Sequence, residues 1–359
     1  MEPMDPADDV ITQLASLRVL VVVPTLNEAA HVEPLLTQLC SEAGAFLDFR
    51  LVVVDGGSDD GTAERVRALM AREPSLCLLH NRARIQSSAL NLAARQLGKQ
   101  ADILIRCDAH AVYPPDYCLR LCAALLQHEA DAVVVPLDSS GQSRVQQAVA
   151  WASNSKIGTG GSAHRAGTRS GFVDHGHHAA FRMDSFRACG GYDESFTHNE
   201  DAELDCRQRA LGARIYLDCS IRVTYHPRAS FGALARQYFR YGLGRSRTAR
   251  RHPRSLRLRQ LLVPLHFVAL LASLVLTPIW GWLALYALLY STALASVALG
   301  VAVRARSLTG LLVAPAALVM HSAWAAGFLG GLVTTREPVW RPHSARPLWG
   351  AGHAPDAHA

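Results

Sequence analysis

None of the eight cysteines forms a C-x-x-C pair, and their scatter along the chain offers neither a structural zinc site nor an evident disulfide framework. Cys118 and Cys122, four apart in a predicted helix, read as buried free thiols, and the whole set fits a reducing compartment. The glycine fingerprint G-x-G-x-x-G is missing, which sets aside a dinucleotide fold, and neither a P-loop nor a nucleophile elbow is present. The first ten residues, MEPMDPADDV, are acidic where a secretory signal would be basic and then apolar. Two further gaps concern charge. Residues 228–259 hold ten arginines and no carboxylate, and residues 261–280, 282–303 and 308–333 contain no Asp, Glu, Lys or Arg at all.

The formal charge of +6 therefore belongs to one block, since the rest of the 359 residues carries more acid than base. A localised basic segment implies an anionic surface rather than a nucleic-acid coat. The three uncharged stretches are each long enough to cross a hydrocarbon core of about 30 Å, with His266 and His321 their only readily ionisable interruptions. By the positive-inside rule the arginine block, and with it the amino-terminal half, faces the cytoplasm, as do Arg304 and Arg306. Three full spans place the tail outside, whereas Arg336, Arg341 and Arg346 favour the inside. The sequence thus allows either two or three crossings, one of them re-entrant. The expectation is a multi-pass protein of the cell inner membrane with a cytoplasmic catalytic domain.

The amino-terminal half alternates apolar runs with helical patterns. Strands are predicted at 17–23, 49–54, 76–79, 103–105 and 132–136, with a helix over about 29–42. Continuous β-branched runs separated by helices indicate a mostly parallel α/β sheet covered on both faces, whose ligand crevice lies beyond the carboxyl ends of the strands. Thr25, Asn27, Glu28, Asp55 and Asp108 all fall at that edge. Residues 137–180, rich in Gly, Ser and His, read as loops. A helix over 200–211 ends at Gly212, a suitable residue just past a helix end, and 231–241 is amphipathic.

Two short motifs carry chemistry. In "ILIRCDAHAVYPPDY" (103–117) an apolar strand runs into Asp108 and His110, which strand alternation points to the same side. In "VVVDGGSDDGT" (52–62) Asp55 ends a strand, Gly56-Gly57 turn the chain, and a helix begins near Thr62. These two, with "VVVPTLNEAAHVEPLL" (21–36) and "GGYDESFTHNEDAELDCRQRALG" (190–212), stand in the order found in inverting family 2 glycosyltransferases. The chain resembles in particular the membrane-anchored glucosyltransferases of succinoglycan-type exopolysaccharide assembly, over about residues 18–244.

The resemblance implies a GT-A fold at 17–225 after a leader at 1–16, then a basic amphipathic interfacial segment at 226–260, a transmembrane region at 261–335 and a tail at 336–359. It implies a UDP-sugar donor, with Pro24, Thr25, Asn27 and Glu28 around base and ribose, Asp55 accepting from the uracil and Arg82 near the diphosphate. Asp108 and His110 stand where the family carries Asp-X-Asp, implying a divalent cation, Mn2+ or Mg2+. An imidazole in place of the last carboxylate favours the softer of the two. Glu200-Asp201 matches the family's general-base motif, with Asp201 as the base and Glu200 in support. "VDHGHHAAF" (173–181) offers either a second metal site or, as the resemblance implies, hydrogen bonding to the acceptor through His175 and His178. "QYFRYG" (237–242) resembles Gln-x-x-Arg-Trp with tyrosine for tryptophan, implying acceptor contacts from Gln237, Arg240 and Tyr241. The expected activity is transfer of a hexose, glucose above all, to a lipid-linked saccharide with a β-linkage, β-1,3 among the options, alongside polysaccharide-assembly partners and no nucleic acid. The rival readings are a processive polysaccharide synthase and a non-catalytic membrane scaffold of an export complex.

Overall fold

In the computed structural model, which describes residues 6–159 and 169–342, the chain forms two compact units. Among the described residues, the first comprises 6–136 and 169–223, with 341–342, and the second comprises 137–159 and 224–340.

The first unit is built on an eight-stranded sheet in the order β3-β2-β1-β4-β8-β5-β9-β7. Its parallel half is β1 (Arg18–Thr25), β2 (Asp48–Asp55), β3 (Leu76–His80) and β4 (Ile103–Arg106). The runs Val19–Val23 and Leu51–Val54 are fully buried because helices cover both faces, which is why they read as unbroken β-branched stretches. Those helices include α2 (Val32–Cys40), α3 (Thr62–Met70), α4 (Gln86–Leu97) and α5 (Tyr117–Gln127). β8 (His177–Arg182) runs antiparallel between β4 and β5 (Ala132–Val135), and so brings its first residue to the carboxyl end of β4. β9 (Ile215–Leu217) and β7 (Gly171–Phe172) complete the far edge. After α8 (Met183–Ala188), the helix α9 (Glu200–Ala210) starts from Asn199 and ends before Gly212, both in the left-handed region. Gly212 thus occupies the position expected of it.

The expectation of loops over 137–180 is corrected by the structure. Leu137–Ser139 is a strand (β6), Arg144–Ser153 is α6 and Lys156–Thr159 a single turn, α7, and β7 and the start of β8 also fall in this stretch; residues 160–168 lie outside the described residues. The helix was signalled by a capping box: the Ser143 side chain accepts from the Gln146 amide and Gln146 reaches back to the Ser143 amide.

In the second unit β10 (Val223–Tyr225) pairs with β6, and α10 (Phe231–Arg251) extends ten residues beyond the predicted amphipathic stretch. Three helices follow: α11 (Leu258–Leu276), α12 (Ala284–Ala305) and α13 (Val313–Thr334). With their short lead-in turns, all three are long and apolar enough to cross a membrane. α10 and α13 meet backbone to backbone. A Cβ on Gly242 would collide with the Trp324 carbonyl, one on Gly327 with the Phe239 carbonyl, and one on Gly331 with the Ser246 hydroxyl. Small residues permit this approach, as they do between helices in lipid. Ala148, Val149 and Ala152 of α6 join Leu234, Ala298, Val313, Ala316 and Met320 in this unit's own apolar core.

Candidate active site

Two turns at the carboxyl ends of β1 and β2 are laced into one polar rim. The Asn27 amide donates to Ser58 Oγ (2.9 Å), the Asp59 amide to Asn27 Oδ1 (3.0 Å), and the Glu28 amide to Thr62 Oγ1 (2.9 Å). Asn27 sits at φ 60°, a conformation asparagine tolerates better than most residues. Asp55, buried at the end of β2, accepts from Thr25 Oγ1 (3.1 Å), Ser58 Oγ (2.5 Å) and the amides of Gly57 (2.8 Å) and Ser58 (2.9 Å). Burial opposes its ionisation, but the Ser58 contacts and the other donors outweigh that and hold the carboxyl below its usual range. Its four acceptor positions are occupied within the turn itself. Pro24 pairs with Val54 inside the sheet, so it shapes the exit of β1. Arg82 is exposed.

The strand of the D-x-H motif stops at Arg106, two residues short of Asp108, and the alternation expected of Asp108 and His110 does not apply. The chain instead turns, with the Ala111 amide donating to the Asp108 carbonyl (3.1 Å). His110, half-exposed, lays Nδ1 3.0 Å from Glu28 Oε1, bringing two sequence-predicted residues together in an unforeseen pairing. Asp108 Oδ1 accepts from Gln86 Nε2 (2.5 Å) and Arg106 Nε (3.3 Å).

Arg106 is the residue that sequence reasoning missed. Its side chain is 4% exposed, and it joins both candidate carboxylates: Nη1 donates to Asp201 Oδ1 (2.8 Å) while Nε faces Asp108. Tyr192 Oη also donates to Asp201 Oδ1 (2.8 Å). Burial alone would raise the Asp201 carboxyl, but Arg106 foremost, then His178 and His177, drive it far below the usual range. Asp108 is lowered likewise, with Arg106 again overriding burial. Glu200 moves the other way: burial, and then the charge of Asp201, push it up to about 7. Two adjacent carboxyls are thus shifted in opposite directions, and the one lowered is the one that touches the guanidinium.

His177 at the start of β8 stands between them, Nε2 3.8 Å from Asp108 Oδ2 and Nδ1 3.8 Å from Asp201 Oδ2. From the sequence it counted with His175 and His178 in the second-metal cluster, with no catalytic or acceptor role. His178, singled out for acceptor contact, is corrected. Its side chain is 0% exposed, stacked on Phe181 at 4.5 Å and hydrogen-bonded through Nε2 to Asp205 Oδ1. His175 Nδ1 lies 2.5 Å from the other oxygen of Asp205. For the second-metal reading of this motif, His175 and His178 are engaged by Asp205, and among the described residues no group of three metal-holding side chains is found. His175, partly exposed, remains near the surface. Gln237, Arg240 and Tyr241 belong to the second unit, where Gln237 Nε2 donates to Tyr241 Oη (2.9 Å) and Tyr225 Oη (3.2 Å) and Arg240 is exposed.

For a divalent cation the donor set fits. Asp108 offers a hard oxygen, and Glu28 at His110 Nδ1 fixes the tautomer that leaves Nε2 as the lone-pair nitrogen, a carboxylate–histidine arrangement common behind metals. Among the described residues no three such side chains form a cage. An ion would therefore share these donors with ligand oxygens, as ions on phosphate groups do.

Comparison with known proteins bears on the family and the fold. The description "Glycosyl transferase family 2" matches residues 20–190. The succinoglycan biosynthesis protein ExoA of Rhizobium meliloti (strain 1021) is 44% identical over 332 residues, 91% of this chain and 98% of that protein. The undecaprenyl-phosphate mannosyltransferase of Micrococcus luteus is 30% identical over 120 residues, 33% of this chain and 47% of that one. Among solved structures, the mannosyltransferase PcManGT from Pyrobaculum calidifontis, in complex with GDP-Man and Mn2+, superposes with a TM-score of 0.55. It covers 89% of this chain and 88% of its own at 20% identity, a likeness of fold.

Proposed function

The chain belongs to glycosyltransferase family 2 and has its GT-A fold, and from that premise we propose that it is a membrane-anchored, inverting hexosyltransferase of exopolysaccharide assembly. The donor is a UDP-sugar, UDP-glucose first, and the acceptor a lipid-linked saccharide. The 44% identity to a succinoglycan biosynthesis protein supports the pathway, and the three long apolar helices support the membrane. The inner membrane, with the active site on the cytoplasmic face, follows from the arginine block.

One observation carries the mechanism: Asp201 has one oxygen clamped by Arg106 and Tyr192, while the other faces the space bordered by His177 and Asp108. The clamp keeps Asp201 ionised, in the form able to take a proton. The acceptor hydroxyl gives its proton to Asp201 Oδ2 as its oxygen attacks the anomeric carbon, and the bond from that carbon to the diphosphate breaks on the opposite side. Glu200, with its raised carboxyl, supports Asp201 as a neighbouring acid. A divalent cation held by Asp108 and His110 would stabilise the negative charge that the departing diphosphate gains. The rim at Pro24, Thr25, Asn27 and Glu28 lies along the nucleoside. Asp55 orders that rim and takes the base N–H when the Thr25 or Ser58 hydroxyl turns aside. Arg82 meets the diphosphate, and His175, Gln237, Arg240 and Tyr241 the acceptor.

The test is transfer from a panel of radiolabelled nucleotide sugars to native lipid extract by membranes carrying the chain. Label from UDP-glucose entering the lipid fraction as a single added sugar is expected. Long polymer would favour a processive synthase, and no transfer or UDP release from any donor would leave a non-catalytic scaffold.

A further inference from the structure

The membrane helices are tied together in a way that length and hydropathy do not foretell. α11 and α12 fold back on one another: His266 Nδ1 lies 2.7 Å from Tyr286 Oη, and the His266 ring packs edge-on to Tyr290 at 4.3 Å. The turn between them carries exposed Trp280 and Trp282 and no charge, as expected where a hairpin reaches a membrane–water boundary. If each arm crosses once, the start of α11 and the end of α12 stand on the same face.

α13 joins those two feet. Its lead-in turn begins at the foot of α12, with Gly310 pressed against the Ala302 backbone. Its far end lies at the foot of α11: Gly331 meets Ser246, and Arg250 donates to the Leu332 carbonyl. Beyond it Glu337 is bound by Arg247 (2.6 Å) and Arg251 (3.5 Å), and the Trp340 amide donates to the Arg251 carbonyl (3.0 Å). Arg245 meanwhile reaches Ser255 and Gln260 at the entry to α11 (2.6 and 2.9 Å). A helix whose two ends are fastened to the same face does not cross.

A second observation agrees independently. α10 runs beside α13 in the same direction, its contacts advancing from Leu234 against Ala316 and Met320, through Gly242 against Trp324, to Arg250 against Leu332. α10 exposes Arg236 and Arg240 near its middle. Standing α13 upright in the hydrocarbon would take those two guanidiniums in with it, where a charged side chain is strongly disfavoured. α13 also buries more than twice the share of its apolar stretch that α11 or α12 does.

We propose that α13 does not span the bilayer. α11 and α12 form the membrane hairpin, α13 lies in the interfacial layer of the catalytic face with α10 laid along it, and the chain from Thr335 stays on that face. The surface so formed fits an anionic lipid layer, with the exposed arginines 236, 240, 254, 257 and 259 directed to headgroups. The inference rests on the membrane residence in the proposed function, but its test needs no sugar transfer.

The full chain is prepared with one short epitope, before Met1, after Trp280 or after Ala359, in sealed right-side-out and inverted membrane vesicles, and protease access to each epitope is read. The expected result is that the first and last epitopes are cleaved in the same vesicle orientation and the one after Trp280 in the other. Cleavage of the last epitope together with the one after Trp280 would show α13 crossing and overturn the proposal. Cleavage of all three in one orientation would show that no hairpin crosses and overturn it equally. The tag after Ala359 leaves every described residue untouched, so a tail on the face opposite the amino terminus refutes the proposal even if the inserted epitope disturbs folding.

Discussion

Asp201 and Asp205 lie one turn apart on α9, and their surroundings could hardly be used more differently. The first turn gives one oxygen of its carboxylate to a buried arginine and a tyrosine and leaves the other 3.8 Å from His177 Nδ1, with 16% of the side chain exposed. The second turn closes on itself, with both oxygens of Asp205 taken by His175 and His178 and only 1% of the side chain exposed. Burial opposes the ionisation of both carboxyls, yet both are held below the usual range, Asp201 by Arg106 foremost and Asp205 by His178 foremost. The difference is whether a position is left for something else. A low carboxyl by itself therefore marks neither catalysis nor structure; what separates the two is whether both oxygens are already engaged in hydrogen bonds.

That contrast can be broken most forcefully at its open end. Asp201→Asn should lower turnover by about 10²–10⁴-fold, the range typical of a lost general base, with UDP binding by calorimetry nearly unchanged. Near-normal turnover would reduce Asp201 to an acid placed at a helix start.

At the closed end the expected loss is of stability. Asp205→Asn removes the partner of a buried imidazole and should cost roughly 3–5 kcal/mol, read as a lower Tm in detergent. The pH window follows from both shifts. Burial opposes the charge on His178, but Asp205 outweighs it and raises the imidazole. That contribution is complete below the unfolded imidazole value of about 6.5 and fades as pH rises through the folded one. Asp205, held low, contributes above the unfolded carboxyl value of about 3.9 and loses its effect as pH falls through the folded one. The gap in Tm between wild type and variant should be widest between those limits; a gap independent of pH would refute the ion pair.

His110→Asp sharpens the open site rather than destroying it. Exchanging imidazole for an all-oxygen donor set should move the Mg2+ to Mn2+ activity ratio toward magnesium by several-fold, measured by titrating each metal at saturating UDP-glucose. An unchanged ratio would leave Asp108 to hold the ion without His110.

The smallest effect is expected at Glu200. Its carboxyl is raised, so its ionisation strains the folded state as pH climbs from the unfolded range of about 4.3 toward about 7. Glu200→Gln should raise Tm slightly above neutral pH and leave it unchanged below pH 4. A higher Tm at both ends would point to packing instead.

The sequence made the parallel strands and their polar ends legible because Val19–Val23 and Leu51–Val54 are buried on both faces and leave no other pattern. It could not reveal Arg106. One arginine closing an apolar strand looks like any strand end, and its meaning comes from Asp201, 95 residues later. Nor could it choose among three histidines in "VDHGHHAAF". The registers of β8 against β4 and β5 set which one faces the carboxylates, and those registers are tertiary facts. The stretch over 137–159 was misread as part of a longer run, 137–180, whose Gly, Ser and His suggested loops, although Ser143 and Gln146 already spelled a helix start.

The seam between α10 and α13 makes the end of this chain a matter of phase. Where carbonyls rest on glycines there is no side chain to bend out of the way, so only one rotation of α13 brings Gly327 and Gly331 to face α10. Inserting a single residue before Trp324 would turn everything after it by about 100° and present bulkier faces in place of the glycines. Shortening or lengthening the tail past Trp340 turns nothing. In this half of the molecule, spacing should be harder to alter than chemistry: many sequences could fill α13, but few of a different length.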